Sequence, residues 1–240
     1  MRRRALVPTG AWTDTVAVAG GSLFAKVGPA EVVTAPLSTT NSRPSLATIR
    51  TPGNFRPTDV VAEHGRLFTS GRFGALAYNV SNPLAPTRES DLPMNGVHRL
   101  PKNGALLFGT GTVNFCQDLD VVDVGTPGQP RLHSSVSECP VAIAATSLEN
   151  RIYAACGRYG LQVLEASPDK PVNVLETFVN GNEWYRAMAR VGDRLYTHRF
   201  TTTDVWDISD RNETVLLGSL RSFAQTMPWA ARGSVALAPY

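Results

Sequence analysis

Hydrophobic and polar positions alternate in short runs along this chain, and each run stops at a turn residue. The clearest stretch is 58–92. Thr58–Glu63 (TDVVAE) alternates and is apolar enough for a strand, and His64-Gly65 supplies a tight turn. Arg66–Ser70 (RLFTS) reads as a second strand and Ala75–Val80 (ALAYNV) as a third, with the turn GRFG between them. Ser81–Pro86 makes a longer, proline-containing turn, and Thr87–Leu92 (TRESDL) is a polar fourth segment. Period-two patterning with frequent turns predicts an antiparallel meander of four short strands. Its polar last strand suits an outer edge, where charge discourages unwanted pairing. No segment shows apolar spacing of three and four over the length a helix needs. Glu183–Tyr196 (EWYRAMARVGDRLY) comes nearest, but Gly192-Asp193 predicts a turn that divides it into two strands.

This unit recurs. The phrase that closes the third strand places Asn79, Asp123, Glu165 and Asp207 at separations of 44, 42 and 42 residues, and a degenerate first copy puts Thr34 a further 45 upstream. A second phrase, a turn residue followed by an apolar pair, sets Leu23, Leu67, Leu107, Ile152 and Leu195 at spacings of 44, 40, 45 and 43. A sixth copy begins at Gly233. Two independent phrases keep one period, and a repeated four-stranded unit of about 43 residues is the signature of a β-propeller blade. The expected fold is all-β: five complete antiparallel blades at 13–53, 54–96, 97–140, 141–182 and 183–225, then a partial sixth at 226–240. Residues 1–12 precede the propeller domain 13–240, and Arg4–Pro8 could lend a closing strand. The ring is then imperfect, or the chain is a piece of a longer protein. The second is expected, because an open blade leaves unpaired backbone along its edge.

The third strand and its turn, at Ala77–Pro86, Val121–Pro130, Val163–Pro171 and Val205–Asp210, carry the form apolar-apolar-Asp-apolar-Ser-Asn/Asp-Pro-x-x-Pro. With the Gly-x-Leu-aromatic phrase before it, this pattern resembles the bacterial LVIVD-repeat propellers, over roughly Thr13–Tyr240. The first copy lacks the Asp and the Asn-Pro phrase, and the last stops after two strands. The resemblance implies a surface-associated or secreted protein and brings no catalytic motif.

Composition narrows the function without fixing it. Seventeen prolines and twenty glycines are spread over the whole length, which fits many short elements. Hydrophobic residues make up 42% and charged ones 18%, enough to bury a core. Net charge is only +3 and Arg2-Arg3-Arg4 is the sole basic block, so the stripe that nucleic acid needs is missing and no nucleic-acid partner is expected. No run of about 18 apolar residues exists to span a membrane. The start MRRRALVPTGAW has a charged region, but Pro8, Thr9 and Gly10 interrupt any apolar stretch of export-signal length. No phosphate-binding loop, dinucleotide fingerprint or Gly-x-Ser-x-Gly occurs.

Propeller topology gives each candidate residue a face. Blade connections and second-to-third-strand hairpins share one rim. Counting to the start of each inner strand places Asp14, Asp59, His98 and Arg186 near the mouth of the central channel on that rim. Such a set can bind a metal or polarise a ligand, and the same residue types also fix turns by hydrogen bonding. The hairpins bring Arg72-Phe73, Arg158-Tyr159 and Arg199-Phe200 to related positions, with Trp184 in the fourth connection. Arginine beside an aromatic ring suits carboxylates and phosphates, although the ring can instead pack between blades under the arginine stem. Cys116, Cys139 and Cys156 fall on the same rim. A Cys116–Cys139 bridge is expected, since the third blade's hairpin is longest; Cys139–Cys156 is the other pairing, and three reduced thiols the remaining state. Asp118, Asp120 and Asp123 lack the glycine bend of a calcium loop. The expectation is an extracellular or cell-surface, non-catalytic binding module. It would be a monomer without a cofactor and would present this rim to a protein or an anionic ligand. The alternative is a metal-assisted hydrolase or lactonase-like enzyme, which requires Asp14, Asp59 and His98 to converge.

Overall fold

The computed structural model describes residues 13, 15–37, 45–71, 74–94, 102–110, 118–140, 142–179, 184–221, 230–232 and 235–237. Five four-stranded sheets form, each from four consecutive strands joined antiparallel in chain order. The first holds β1 (Val16–Ala19), β2 (Ser22–Val27), β3 (Glu31–Pro36) and β4 (Ala47–Arg50). The second holds β5 (Pro57–Glu63), β6 (Arg66–Gly71), β7 (Gly74–Asn79) and β8 (Thr87–Leu92). The third holds β9 (Lys102–Asn103), β10 (Leu106–Gly109), β11 (Leu119–Asp123) and β12 (Arg131–Val136). The fourth holds β13 (Ala144–Leu148), β14 (Arg151–Ala155), β15 (Leu161–Ser167) and β16 (Lys170–Phe178). The fifth holds β17 (Tyr185–Val191), β18 (Arg194–Arg199), β19 (Thr202–Asp207) and β20 (Val215–Arg221). A two-stranded sheet, β21 (Ala230–Arg232) with β22 (Val235–Leu237), follows. No helix occurs among the described residues, so none there is long and apolar enough to cross a membrane.

The repeating phrase has a structural cause. Asn79 Oδ1 accepts the Ser81 N–H at 3.0 Å, Asp123 Oδ1 the Gly125 N–H at 2.8 Å and Asp207 Oδ1 the Ser209 N–H at 3.0 Å. Each short side chain closes an Asx-turn and so stops the third strand. Glu165 is one methylene longer, and it takes the Asn150 side-chain amide at 3.1 Å instead. Pairing of second with third strands sets Ser22 opposite Pro36, Arg66 opposite Asn79, Leu106 opposite Asp123, Arg151 opposite Glu165 and Arg194 opposite Asp207. The first-blade counterpart is therefore Pro36, not Thr34. The five positions stand 43, 44, 42 and 42 residues apart, a tighter period than the sequence comparison gave.

The chain divides into two compact units, residues 1–109 with 120–133, and residues 110–119 with 134–240. In the first, alternate residues of β6 and β7 enter two different cores. Leu67, Leu76 and Tyr78 join Phe24, Val32, Ile49 and Val60. Phe68, Ala75 and Ala77 join Leu92, Met94, Leu107, Val122 and Val124. A strand buried on both faces favours apolar residues at successive positions, which is why Leu67-Phe68 and Ala75–Tyr78 read as continuous runs. The outer strand β8 keeps its polar character, and Glu89 meets the Arg66 Nε at 3.0 Å. In the second unit, Tyr153, Ala155, Leu161 and Val163 of the fourth sheet pack on Tyr185, Leu195 and Trp206 of the fifth. Trp206 also lies against Phe178, ring centroids 4.8 Å apart, and its Nε1–H bonds the Thr197 hydroxyl at 2.8 Å.

Candidate functional site

The β14–β15 hairpin and the connections entering β13 and β17 build one connected surface within the second unit. Ala155 pairs with Leu161, so residues 156–160 form a five-residue loop. Gly157 (φ 57°) and Gly160 (φ 94°) supply the left-handed backbone that bends it. A side chain at Gly160 would collide with the Phe178 carbonyl oxygen. The loop bonds itself through Tyr159 N–H to Cys156 O at 3.0 Å and Cys156 N–H to Gly160 O at 2.8 Å. It is then tied at three outside points. Tyr185 N–H donates to Gly157 O at 3.2 Å, Ile143 N–H to Ala155 O at 2.8 Å, and a disulfide joins Cys156 to Cys139 with Cα atoms 5.2 Å apart.

That disulfide corrects the expected Cys116–Cys139 pairing, since Cys139 has one sulfur and spends it on Cys156. Cys116 itself lies outside the described residues. Loop length suggested the third blade's hairpin needed the staple. Instead the connection before β13 runs alongside the β14–β15 loop and brings Cys139 and Cys156 into range.

On this pinned loop Arg158 is exposed. Its guanidinium sits 5.0 Å from the Tyr159 ring centroid, and Nη2 donates to the Tyr159 hydroxyl at 2.9 Å. Trp184 is half-buried, and its six-membered ring lies on Gly157 so closely that a Cβ there would stand 3.1 Å from Cε3. Arg158, Tyr159 and Trp184 are thus brought to one loop, as the shared-rim argument required. The arrangement offers a cation held by an aromatic ring, with a second aromatic beside it.

Arg199 does not join them. It is 6% exposed, and its Nε lies 2.8 Å from Asp204 Oδ2 while Nη2 donates to Oδ1 at 3.0 Å. Asp204 also accepts the Ser219 hydroxyl at 2.6 Å and the Tyr185 hydroxyl at 3.5 Å. The cause is register. The second sheet's ladder closes at Gly71 opposite Gly74, whereas the fifth closes at Arg199 opposite Thr202. Arg199 therefore corresponds to Gly71, inside the ladder, and the position equivalent to Arg72 is Phe200, which is exposed. A one-residue slip turns a strand side chain to the other face. Asp204, the partner that decides this, carried no signal in the sequence reading.

The same error affects the inner strands. In β17 the ladder passes from Tyr185 to Ala187, leaving Arg186 at a bulge; in β5 it passes from Pro57 to Asp59, leaving Thr58. Arg186 thus corresponds to Thr58 rather than to Asp59. Asp59 is half-buried opposite Ser70. Asp14, Arg72 and His98 lie outside the described residues. Among the described residues no group of three His, Cys, Asp or Glu side chains is placed to hold a metal ion.

No family model matches the chain, and no curated protein does. Solved structures do. The computationally designed Ika8 protein is similar at a TM-score of 0.69 with 12% identity over 94% of this chain and 67% of its own. A protein from Lactobacillus plantarum gives 0.65 with 12% identity, covering 89% and 73%. The Cps50 (Swd1) β-propeller domain from Myceliophteria thermophila gives 0.58 with 10% identity, covering 87% and 73%. At these identities the likeness is one of fold, and the chain has the β-propeller fold.

Proposed function

We propose that this chain is a non-catalytic binding module of the LVIVD-repeat type, and that it holds a protein or an anionic ligand on the loop 156–160 and the Trp184 connection. The observation that carries this reading is the exposed Arg158 stacked on Tyr159, in a loop fixed by a disulfide, a backbone bridge and the Trp184 ring. A guanidinium already held in place loses less entropy on meeting a carboxylate than a free one does. Trp and Arg are also the residue types that dominate interface energetics. Propellers commonly serve as platforms for partners, and that analogy supports the reading at the level of fold alone. The disulfide supports a place outside the reducing cytosol, at the cell surface or beyond it.

The test uses a poly-glutamate peptide as probe, followed by tryptophan fluorescence and calorimetry. Arg158→Ala and Trp184→Ala are each expected to weaken binding by about tenfold or more. Lys170→Ala, which removes one positive charge from the start of β16 at the other end of the fourth sheet, is expected to leave it within about twofold. A loss with Lys170→Ala as large as that with Arg158→Ala would show a net-charge effect and sink the assignment, and unchanged binding in Trp184→Ala would take the tryptophan out of the site.

A further inference from the structure

The outer strands of the five sheets differ in how they meet solvent. β4 has only four residues. β8 carries Arg88, Glu89 and Asp91, β12 carries Arg131 and His133, and β16 carries Lys170, Pro171 and Glu176. Shortness, charge and proline are the usual defences of an edge. β20 reads Val-Leu-Leu-Gly-Ser-Leu-Arg and has no charge before its last residue. Every one of its seven residues is exposed, with Leu217 at 53% and Leu220 at 62%. It is the last strand of its sheet, and among the described residues no strand pairs with its outer edge.

From this geometry we infer that β20 is a self-association edge, pairing antiparallel with β20 of a second copy of this chain about a two-fold axis at Leu217. Charge selects both orientation and register. Glu213 precedes the strand and Arg221 ends it, both exposed. Antiparallel pairing centred on Leu217 sets Glu213 opposite Arg221 twice, Val215 opposite Ser219 and Leu216 opposite Gly218. Parallel pairing would set Arg221 beside Arg221 and Glu213 beside Glu213, and like charges placed directly opposite destabilise a sheet. The ladder from β19 skips at Leu217, passing from Leu216 to Gly218. β8 and β16 carry such irregularities too, so this one does not set β20 apart. It falls on the two-fold point and leaves Gly218–Arg221 regular to meet the opposite half. The contact is isologous and closes at two copies, so it yields a dimer and not a fibre. This departs from the monomer expected of the sequence.

Sedimentation equilibrium of the full chain over a roughly hundredfold range of concentration tests it. A reversible shift toward twice the chain mass is expected, and a single chain mass throughout would overturn the proposal. Leu217→Lys brings two like charges together at the axis and is expected to weaken the dimer by about tenfold or more. Glu213→Arg or Arg221→Glu alone should weaken it as well, and the two together should restore it. A dimer indifferent to Leu217→Lys, or a double variant no better than the singles, would place the contact elsewhere and overturn the proposal. Circular dichroism verifies that each variant keeps its strands.

Discussion

At the scale of single residues, the buried Arg199–Asp204 pair shows how position within a ladder decides chemistry. Both side chains are almost wholly removed from water, at 7% and 0% exposure, so each depends on the other. Removing one partner strands an uncompensated buried charge. Asp204→Ala is therefore expected to lower unfolding stability by about 3–5 kcal/mol, read from urea midpoints. The double change Asp204→Leu with Arg199→Met should recover most of that, because apolar residues of similar volume often replace a buried pair at little cost. A double variant as unstable as the single would mean that Ser219 and Tyr185, not Arg199, hold the aspartate's energetic role. The arginine itself was legible as a hairpin residue. Its inward direction was not, because direction depends on whether the ladder closes at residue 198 or 199.

At the scale of elements, the turn after each third strand is the most regular local device. Asp207 is the best case, since both the hydroxyl and the N–H of Ser209 bond Oδ1, and Arg194 Nη1 lies 2.6 Å away. These bonds, the Ser209 hydroxyl first, hold the Asp207 carboxyl below its ordinary range. A folded-state value below the unfolded one means the carboxylate stabilises the fold at neutral pH. That contribution disappears as pH falls through the depressed value. Asp207→Ala is expected to destabilise the protein at pH 7 and to shrink its difference from the parent in strong acid, measured by thermal unfolding across pH. A difference that stays constant down to the lowest pH would refute the carboxylate's part. The sequence showed the phrase and its period, but the degenerate first copy hid its true counterpart. Pro36 has no side-chain oxygen to mark it, so matching by residue type chose Thr34.

At the scale of the whole molecule, the Cys139–Cys156 disulfide links a connection to a hairpin loop across 17 residues of chain. Closing a loop of that length restricts the unfolded chain and is worth about 3 kcal/mol on the entropic account. Cys139→Ser should therefore lower the melting temperature, and dithiothreitol should destabilise the parent chain but not the variant. An unchanged melting temperature under reduction would show that Tyr185–Gly157 and Ile143–Ala155 hold the loop without help. Reduction is also expected to expose the Arg158–Tyr159 loop to trypsin, since the same covalent tie holds both its structure and its binding surface.

The sequence by itself determined the four-strand unit, its period and the all-β class. Each of these rests on local causes repeated along the chain: period-two burial, left-handed glycines at turns and short oxygen-bearing side chains that close Asx-turns. It also placed Arg158, Tyr159 and Trp184 on one surface, because strand order alone dictates which loops share an end. The tertiary structure decided the rest. Arg199 faces inward because it occupies the closing pair of its ladder, the place Gly71 takes in the second sheet, and Arg186 falls out of step with Asp59 because it sits at the bulge position that Thr58 fills in β5. Cys139 joins Cys156 because two segments distant in sequence run side by side. Register, bulges and through-space neighbours are properties of paired strands, and a single strand's sequence carries no record of where its partner begins.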